Sequence, residues 1–175
     1  MKILFLSDTH GQHRKLKNLP EADILIHGGD ITHNGTEEEV VDFVDWLDSL
    51  TYKYKIFIAG NHDECLDSAR IEEGLPENCF YLAHSGITVE GIKIWGMPYF
   101  LSDDYKGLMR FKVGAISKDA DIVISHFPPL GVLDKSAFEE NMGNEDLRRR
   151  VESIKPKLHL FGHIHEAYGT DDSFH

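Results

Sequence analysis

Cysteine is nearly absent from the chain. Cys65 and Cys79 are the only two in 175 residues, too few and too irregularly placed for a zinc cage or a disulfide framework. Both are therefore expected to be reduced thiols of an intracellular protein. Positive charge is also scarce: 18 Lys and Arg stand against 30 Asp and Glu, a formal net charge of −12 with histidine neutral. Such a surface repels a polyanion unless something positive is bound, so nucleic acid is not the expected partner. Long apolar runs are missing as well. The N-terminal stretch MKILFLSD ends its apolar part before Asp8, too short for a signal-peptide core or a membrane span, and predicts a soluble, cytoplasmic protein with no membrane partner. No repeat, low-complexity tract or linker interrupts the chain. With 41% hydrophobic and 27% charged residues, the composition is that of a globular protein, read as a single domain over residues 1–175.

Short apolar runs recur, each closed by a polar or glycine cluster: Ile3 to Leu6, Ile24 to Ile26, Ile56 to Ala59, Ile122 to Ile124 and Leu158 to Phe161. Runs of this length read as buried strands. Thr36 with Glu39 three residues on forms a capping-box signature. The helix it opens is expected to bury Val40, Val41, Phe43, Val44, Leu47 and Leu50 on one face. Asn144 can cap a second helix carrying Leu147, Val151 and Ile154 before Pro156 stops it. Ile87–Val89 and Ile92–Ile94 flank Glu90-Gly91, a two-residue hairpin signal. Strands alternating with helices around a hairpin predict an α/β sandwich.

Eleven histidines are present, and several stand where the apolar runs end. Asp8 and His10 follow the first run, Asp30 the second, Asn61 and His62 the third, His126 the fourth, and His163 and His165 the fifth. In open α/β sheets the ligand crevice lies outside the carboxyl ends of the strands, so all five clusters can converge. Two residues alternating on extended backbone, such as Asp8 and His10 or His163 and His165, point the same way. Taken alone, any one of these histidines is more often structural than ligating. Five clusters at successive strand ends, four of them flanked by glycine, are not independent accidents. Oxygen and imidazole donors without thiolate suit borderline divalent ions such as manganese, iron, zinc or nickel. Seven such donors, Asp8, His10, Asp30, Asn61, His126, His163 and His165, are too many for one ion. Two ions sharing Asp30, roughly 3.5 to 4 Å apart, would use them all, with a bridging hydroxide attacking a phosphoryl group in line. His13, His27, His33, His84, His159 and His175 are read as structural or surface residues, His159 as strand filling.

Asp8-Thr9-His10, Gly29-Asp30, Gly60-Asn61-His62-Asp63, His126 and Gly162-His163-Ile164-His165 together resemble the ordered motif series of the calcineurin-like metallophosphoesterases. The flanking LFLSDTHG, HGGD, WGMPY, HFPPLG and GHIHEAYG resemble the branch of metallophosphoesterase-domain proteins described as class III cyclic-nucleotide phosphodiesterase-like. The resemblance implies a four-layer αββα sandwich. It implies that Asp8, His10, Asp30 and His165 hold one ion and Asp30, Asn61, His126 and His163 the other. It also implies that His62 faces the substrate as leaving-group acid or phosphate stabiliser.

The chain departs from that pattern in two places. Asp30 is followed by Ile31-Thr32-His33-Asn34-Gly35 instead of a segment ending D-R-G, which removes the aspartate that would orient His62 and the arginine that would grip a phosphomonoester. Asp63 is a candidate orienter, although a solvated loop carboxylate is the expectation there. The chain also stops ten residues after His165, where relatives usually continue with further strands. The expected fold is therefore shortened at its C-terminus, with a sheet edge open to pairing between copies. The function expected is hydrolysis of small phosphodiesters, cyclic nucleotides first. The alternatives are a nuclease, a broad-specificity phosphomonoesterase of the same fold, or a metal-binding scaffold without catalysis. The densest basic stretch, Arg148-Arg149-Arg150, reads as a solvated helix face and not as a nucleic-acid track.

Overall fold

The computed structural model describes residues 1–67, 69, 71–105 and 107–172; His175 lies outside the described residues. Eight strands form two four-stranded sheets. In the first, β1 (Ile3–Leu6), β2 (Ile24–His27), β3 (Tyr54–Phe57) and β4 (Cys79–Tyr81) lie side by side in that order, all parallel. In the second, β5 (Ser85–Val89) pairs antiparallel with β6 (Ile92–Met97), which continues parallel to β7 (Ile122–Ser125) and β8 (Leu158–Phe161). The hairpin turn places Glu90 at φ 50° and Gly91 at φ 81°, the doubly left-handed turn that matches strand twist.

Three apolar layers hold the sandwich together. Between the sheets lie Ile24, Ile26, Ile56, Ile58, Ile94, Ile122 and Ile124 with Leu82 and Val89. β-branched side chains pack well on a pleated surface, and each fully buried isoleucine contributes about 1.5–3 kcal/mol. On the outer face of the first sheet, α1 (Glu37–Asp48) lays Val40, Phe43, Trp46 and Leu47 against Leu25 and Phe57. On the outer face of the second, α2 (Leu108–Ala115) and α3 (Glu145–Ile154) pack Met109, Val113, Leu147 and Val151 against Met97 and Val123. The architecture is the four-layer αββα sandwich.

Both predicted helix starts are built as expected. The Thr36 side chain accepts from the Glu39 N–H while Glu39 reaches back, and the Asn144 side chain accepts from Leu147 N. Other expectations need correction. Val41 is 60% exposed, because it lies a hundred degrees around the helix from Val40; Trp46 takes the buried place. The third strand pairs over Tyr54–Phe57, not Ile56–Ala59: ladder pairing stops at Phe57, and Ile58 and Ala59 run on buried into the loop. Strand β4 and helix α2 were not legible, one being three residues long and the other opening on Gly107 in a left-handed conformation. His13 is not on the surface. It is 1% exposed, lies against Phe43 and Trp46, and bonds Asp42 Oδ2 at 3.0 Å. His84 is half-buried.

His27 is fully buried and His159 partly buried, and burial pushes both imidazoles down to about 3. In the unfolded chain a histidine titrates near 6.5. Between those values the unfolded chain binds protons that the folded chain refuses, so stability is full above about pH 6.5 and falls as pH falls. Urea titrations of the metal-free protein between pH 6.5 and 5 should show this decline. His159→Phe should flatten it by up to about 1.4 kcal/mol per pH unit, and an unchanged slope would contradict the assignment.

Candidate metal centre

The loops that leave the carboxyl ends of β1, β2, β3, β7 and β8 are stitched to one another before any side chain is considered. Asp8 N–H donates to Gly29 O, His10 N–H to Asp30 O and Gly11 N–H to Ile31 O, each at 2.9 Å, and Gly162 N–H donates to His126 O at 3.0 Å. His62 N–H donates to Asp30 Oδ1 at 2.9 Å. His163 N–H reaches both Asp8 carboxylate oxygens at 3.1 Å. Four of the residues so placed hold left-handed backbone: Asp8 at φ 56°, His10 at 44°, Asp30 at 53° and His163 at 72°. For a non-glycine residue that conformation is strained and concentrates at functional sites. Glycine makes the approach possible. A Cβ on Gly60 would stand 2.2 Å from Asp30 Oδ1 and 2.5 Å from His126 Cε1.

All eight residues singled out from the sequence meet here. Three groups of donor atoms each lie within 4.8 Å of one another: Asp8, His10 and His165; His10, Asp30 and His62; Asp30, His126 and His163. Asp30 is the member that joins the two halves. Its Oδ2 is 3.7 Å from His10 Nε2 and its Oδ1 3.5 Å from His126 Nε2. On one side His165 Nε2 lies 3.4 Å from both Asp8 Oδ1 and His10 Nε2. On the other, Asn61 Oδ1 lies 3.1 Å from His126 Nε2. Imidazole nitrogens turned toward one another among carboxylates, with no thiolate, are the donor set of a borderline divalent cation; the residues fit such an ion.

The surroundings aim these donors. His126 Nδ1 is 2.9 Å from Gly28 O and His62 Nδ1 is 3.2 Å from His33 O. Each carbonyl can accept from one ring nitrogen and leave Nε2 for the centre. Ser125 Oγ donates to Phe127 O at 2.8 Å and lies 2.8 Å from His159 Nε2, bracing the turn that carries His126. His159 is thus more than strand filling, and His27 does similar service, its Nε2 3.0 Å from Thr9 Oγ1 between Asp8 and His10.

Burial alone would raise Asp30, but the His126 hydrogen bond and charge and the His62 N–H outweigh it and hold the carboxyl at about 2. Burial would lower His126, and the bond to Asp30 reverses that; burial takes His163 down to about 4.

Asp63 is not a solvated loop carboxylate. It is fully buried, and its oxygens accept from Ile31 N, Thr32 N, Thr32 Oγ1 and Gly60 N at 3.2, 2.9, 2.8 and 2.8 Å. It ties the loop after β2 to the loop after β3, while the His33 carbonyl orients His62. Sequence reasoning also missed Tyr99, at the carboxyl end of β6. Its ring centre is 5.8 Å from that of His163 and 6.4 Å from that of His126. Its hydroxyl donates to Asp104 at 2.9 Å, and burial with that bond raises it to about 12. The strand-end rule that flagged the other clusters would have found it.

Two face-to-face sheets with a carboxylate–imidazole cluster gathered at the carboxyl ends of their strands define a class, the α/β sandwiches with a candidate metal centre at the strand ends. The chain belongs to the calcineurin-like phosphoesterase family, whose sequence model matches residues 1–167; membership implies divalent metal ions. Over 97% of its length the chain is 35% identical to human metallophosphoesterase domain-containing protein 1 and 33% identical to a UPF0046 protein of Caenorhabditis elegans. It spans 62% and 65% of those two proteins. A 3′,5′-cyclic-nucleotide phosphodiesterase of Nostoc sp. is 26% identical over 89% of this chain and 60% of its own length. A solved crystal structure aligns with 93% of this chain and 84% of its own at a TM-score of 0.65 and 15% identity, a likeness of fold.

Asp63→Asn keeps the side-chain shape but sets an amide N–H₂ against backbone donors, leaving a buried N–H unpaired. Denaturant titration should show a loss of about 1–3 kcal/mol. A loss below about 0.5 kcal/mol, the range of a surface substitution, would contradict the knot described for this carboxylate.

Proposed function

We propose that the chain is a phosphoesterase that hydrolyses small phosphodiesters, cyclic nucleotides foremost, with two divalent cations. Asp8, His10, Asp30 and His165 would hold one ion, and Asp30, Asn61, His126 and His163 the other. The observation that carries this reading is the placement of the Asp30 carboxylate, one oxygen toward His10 and the other toward His126. When bound, the cations would activate water and neutralise phosphoryl oxygens, manganese being the first choice among several that the donors allow.

The protein's own part is orientation and proton transfer. His62 is exposed at the mouth, and with Nδ1 turned to the His33 carbonyl its Nε2 is the atom that hands a proton to the departing oxygen. A positioned acid of this kind contributes about 10²- to 10⁴-fold. The buried Asp30, kept ionised by its donors, supplies fixed negative charge that needs no reorganisation during reaction.

Diesters are favoured over monoesters by what surrounds Asp30. A dianionic monoester is best gripped by a guanidinium fork, and residues 33 and 34 are His33 and Asn34. Arg14 is engaged by Asp42 through Nε and Nη2. Arg148, Arg149 and Arg150 are committed to Glu152, Glu145 and the Ile116 carbonyl, which weighs against a nucleic-acid track. The name of the Nostoc relative supports cyclic nucleotides within the class. The free Cys65 and Cys79 support an intracellular setting.

Asp30→Ala should lose both equivalents of metal by elemental analysis, because the two halves share this carboxylate, whereas His10→Ala should weaken mainly one. Retention of two equivalents with near-normal turnover would remove the bridging role. The reading as a whole is tested by a metal-reconstituted panel of monoester, diester, 3′,5′-cyclic and 2′,3′-cyclic substrates. The kcat/KM for a diester should exceed that for the monoester with the same leaving group by about tenfold, or 1.4 kcal/mol in the barrier. Monoester turnover equal to or faster than diester turnover would overturn the diesterase assignment.

A further inference from the structure

We propose that Tyr99 is a positioning residue of the metal centre: its ring holds the His163 imidazole in a donor position that no hydrogen bond fixes among the described residues. This rests on the two-ion reading above, in which His163 shares an ion with Asp30, Asn61 and His126.

The donors of that half are aimed by different means. Asp30 accepts from His62 N–H at 2.9 Å. His126 turns Nδ1 toward Gly28 O at 2.9 Å, and Asn61 Oδ1 lies 3.1 Å from His126 Nε2. His163 is pinned through its backbone, where the N–H reaches both Asp8 oxygens at 3.1 Å and φ is 72°. Its half-buried ring makes no hydrogen bond among the described residues. The outer torsion of a histidine is broad, so the surfaces packed against the ring decide where its nitrogens point.

Two rings supply those surfaces. The ring centre of His126 is 5.0 Å from that of His163 with planes 66° apart, and that of Tyr99 is 5.8 Å away with planes 82° apart. His126 is itself a donor of the centre. Tyr99 is not, because its hydroxyl donates to Asp104 at 2.9 Å, and what it offers His163 is a planar surface in the edge-to-face arrangement that aromatic rings prefer.

Tyr99 can fix a neighbour because it is itself fixed. Its N–H donates to Ala59 O at 3.2 Å, tying the end of β6 in one sheet to the chain leaving β3 in the other. Its ring meets Phe127 nearly perpendicularly at 5.3 Å. The loop that follows is closed by the buried Asp103, which accepts from Phe100 N at 3.2 Å and pairs with Lys112. Tyr99 is thus held at backbone, ring and hydroxyl, and it bears on an imidazole held only at its backbone.

The test titrates the metal-free protein with Mn²⁺ by calorimetry and records imidazole NMR spectra of the same metal-free samples. Tyr99→Ala should weaken one of the two ions about tenfold, the lower end of the range for a group that orients a ligand, and leave the ion weakened by His10→Ala unchanged. In the metal-free protein the same variant should average the His163 ring signals. Tyr99→Leu, which keeps apolar bulk without a planar ring, should show the same changes and serves if the alanine variant does not fold. Tyr99→Phe should retain both the affinity and the ordered His163 ring. Unchanged affinity for both ions, or an ordered His163 ring, in the alanine and leucine variants would overturn the proposal. Equal weakening in Tyr99→Phe would also overturn it, because the bond to Asp104 and not the ring would then do the positioning. The spectra need no metal. A wild-type protein that takes up fewer than two ions, yet loses its ordered His163 ring on Tyr99→Ala, would refute the two-ion reading and uphold the positioning role.

Discussion

The arrangement turns on one buried carboxylate. Asp30 is 2% exposed, and an isolated ionised carboxylate at that depth would be driven to take up a proton. It remains charged because the His126 imidazole and the His62 N–H face one of its oxygens while His10 lies near the other. These partners come from three loops spread over more than a hundred residues, from His10 to His126. The requirement to satisfy a single charge therefore dictates where the carboxyl ends of β1, β2, β3 and β7 finish. The strained backbone at Asp8, His10, Asp30 and His163 is the local cost of that convergence, and the isoleucine layer between the sheets provides the rigidity that sustains it.

Much of this could be read from residue order, for reasons that differ by element. Strands β2 and β7 stand out because fully buried strands read as continuous apolar runs, β1 and β8 because even at the sheet edges, partly buried, they keep short runs closed by polar residues, and α1 and α3 because their caps are side-chain chemistry visible in the sequence. The donors were legible because a strand that ends at a ligand must end abruptly, which places Asp, Asn or His beside glycine. Helix α2 carries no such mark, since Gly107 supplies conformation and no side chain. Val41 was misplaced because it falls outside the arc of the helix that Val40, Phe43, Trp46 and Leu47 cover. Asp63 was misjudged for a different reason. Its role is set by which backbone groups a neighbouring loop presents, and that depends on packing between β2 and β3 and not on local sequence.

The histidines divide by environment more than by number. His27 is buried and His159 partly buried, burial holds both neutral, and each meets a hydroxyl beside a residue of the centre. His10, His62, His126, His163 and His165 crowd against carboxylates, and His33 stands outside with an open face. One residue type thus serves as brace, donor and rim, with burial and the partner of the second ring nitrogen deciding which.

The bond from His163 N–H to Asp8 joins two residues 155 positions apart in the sequence, and its consequence lies in the order of assembly. Strand β1 leaves the ribosome long before β8, and β8 has no place to pair until β7 is in the sheet. Contacts of such sequence separation form late because loop closure must precede them. The half of the centre made by Asp8, His10 and His165 thus closes only when the last strand docks. A cation favouring the completed centre therefore stabilises the docked state of that strand by mass action.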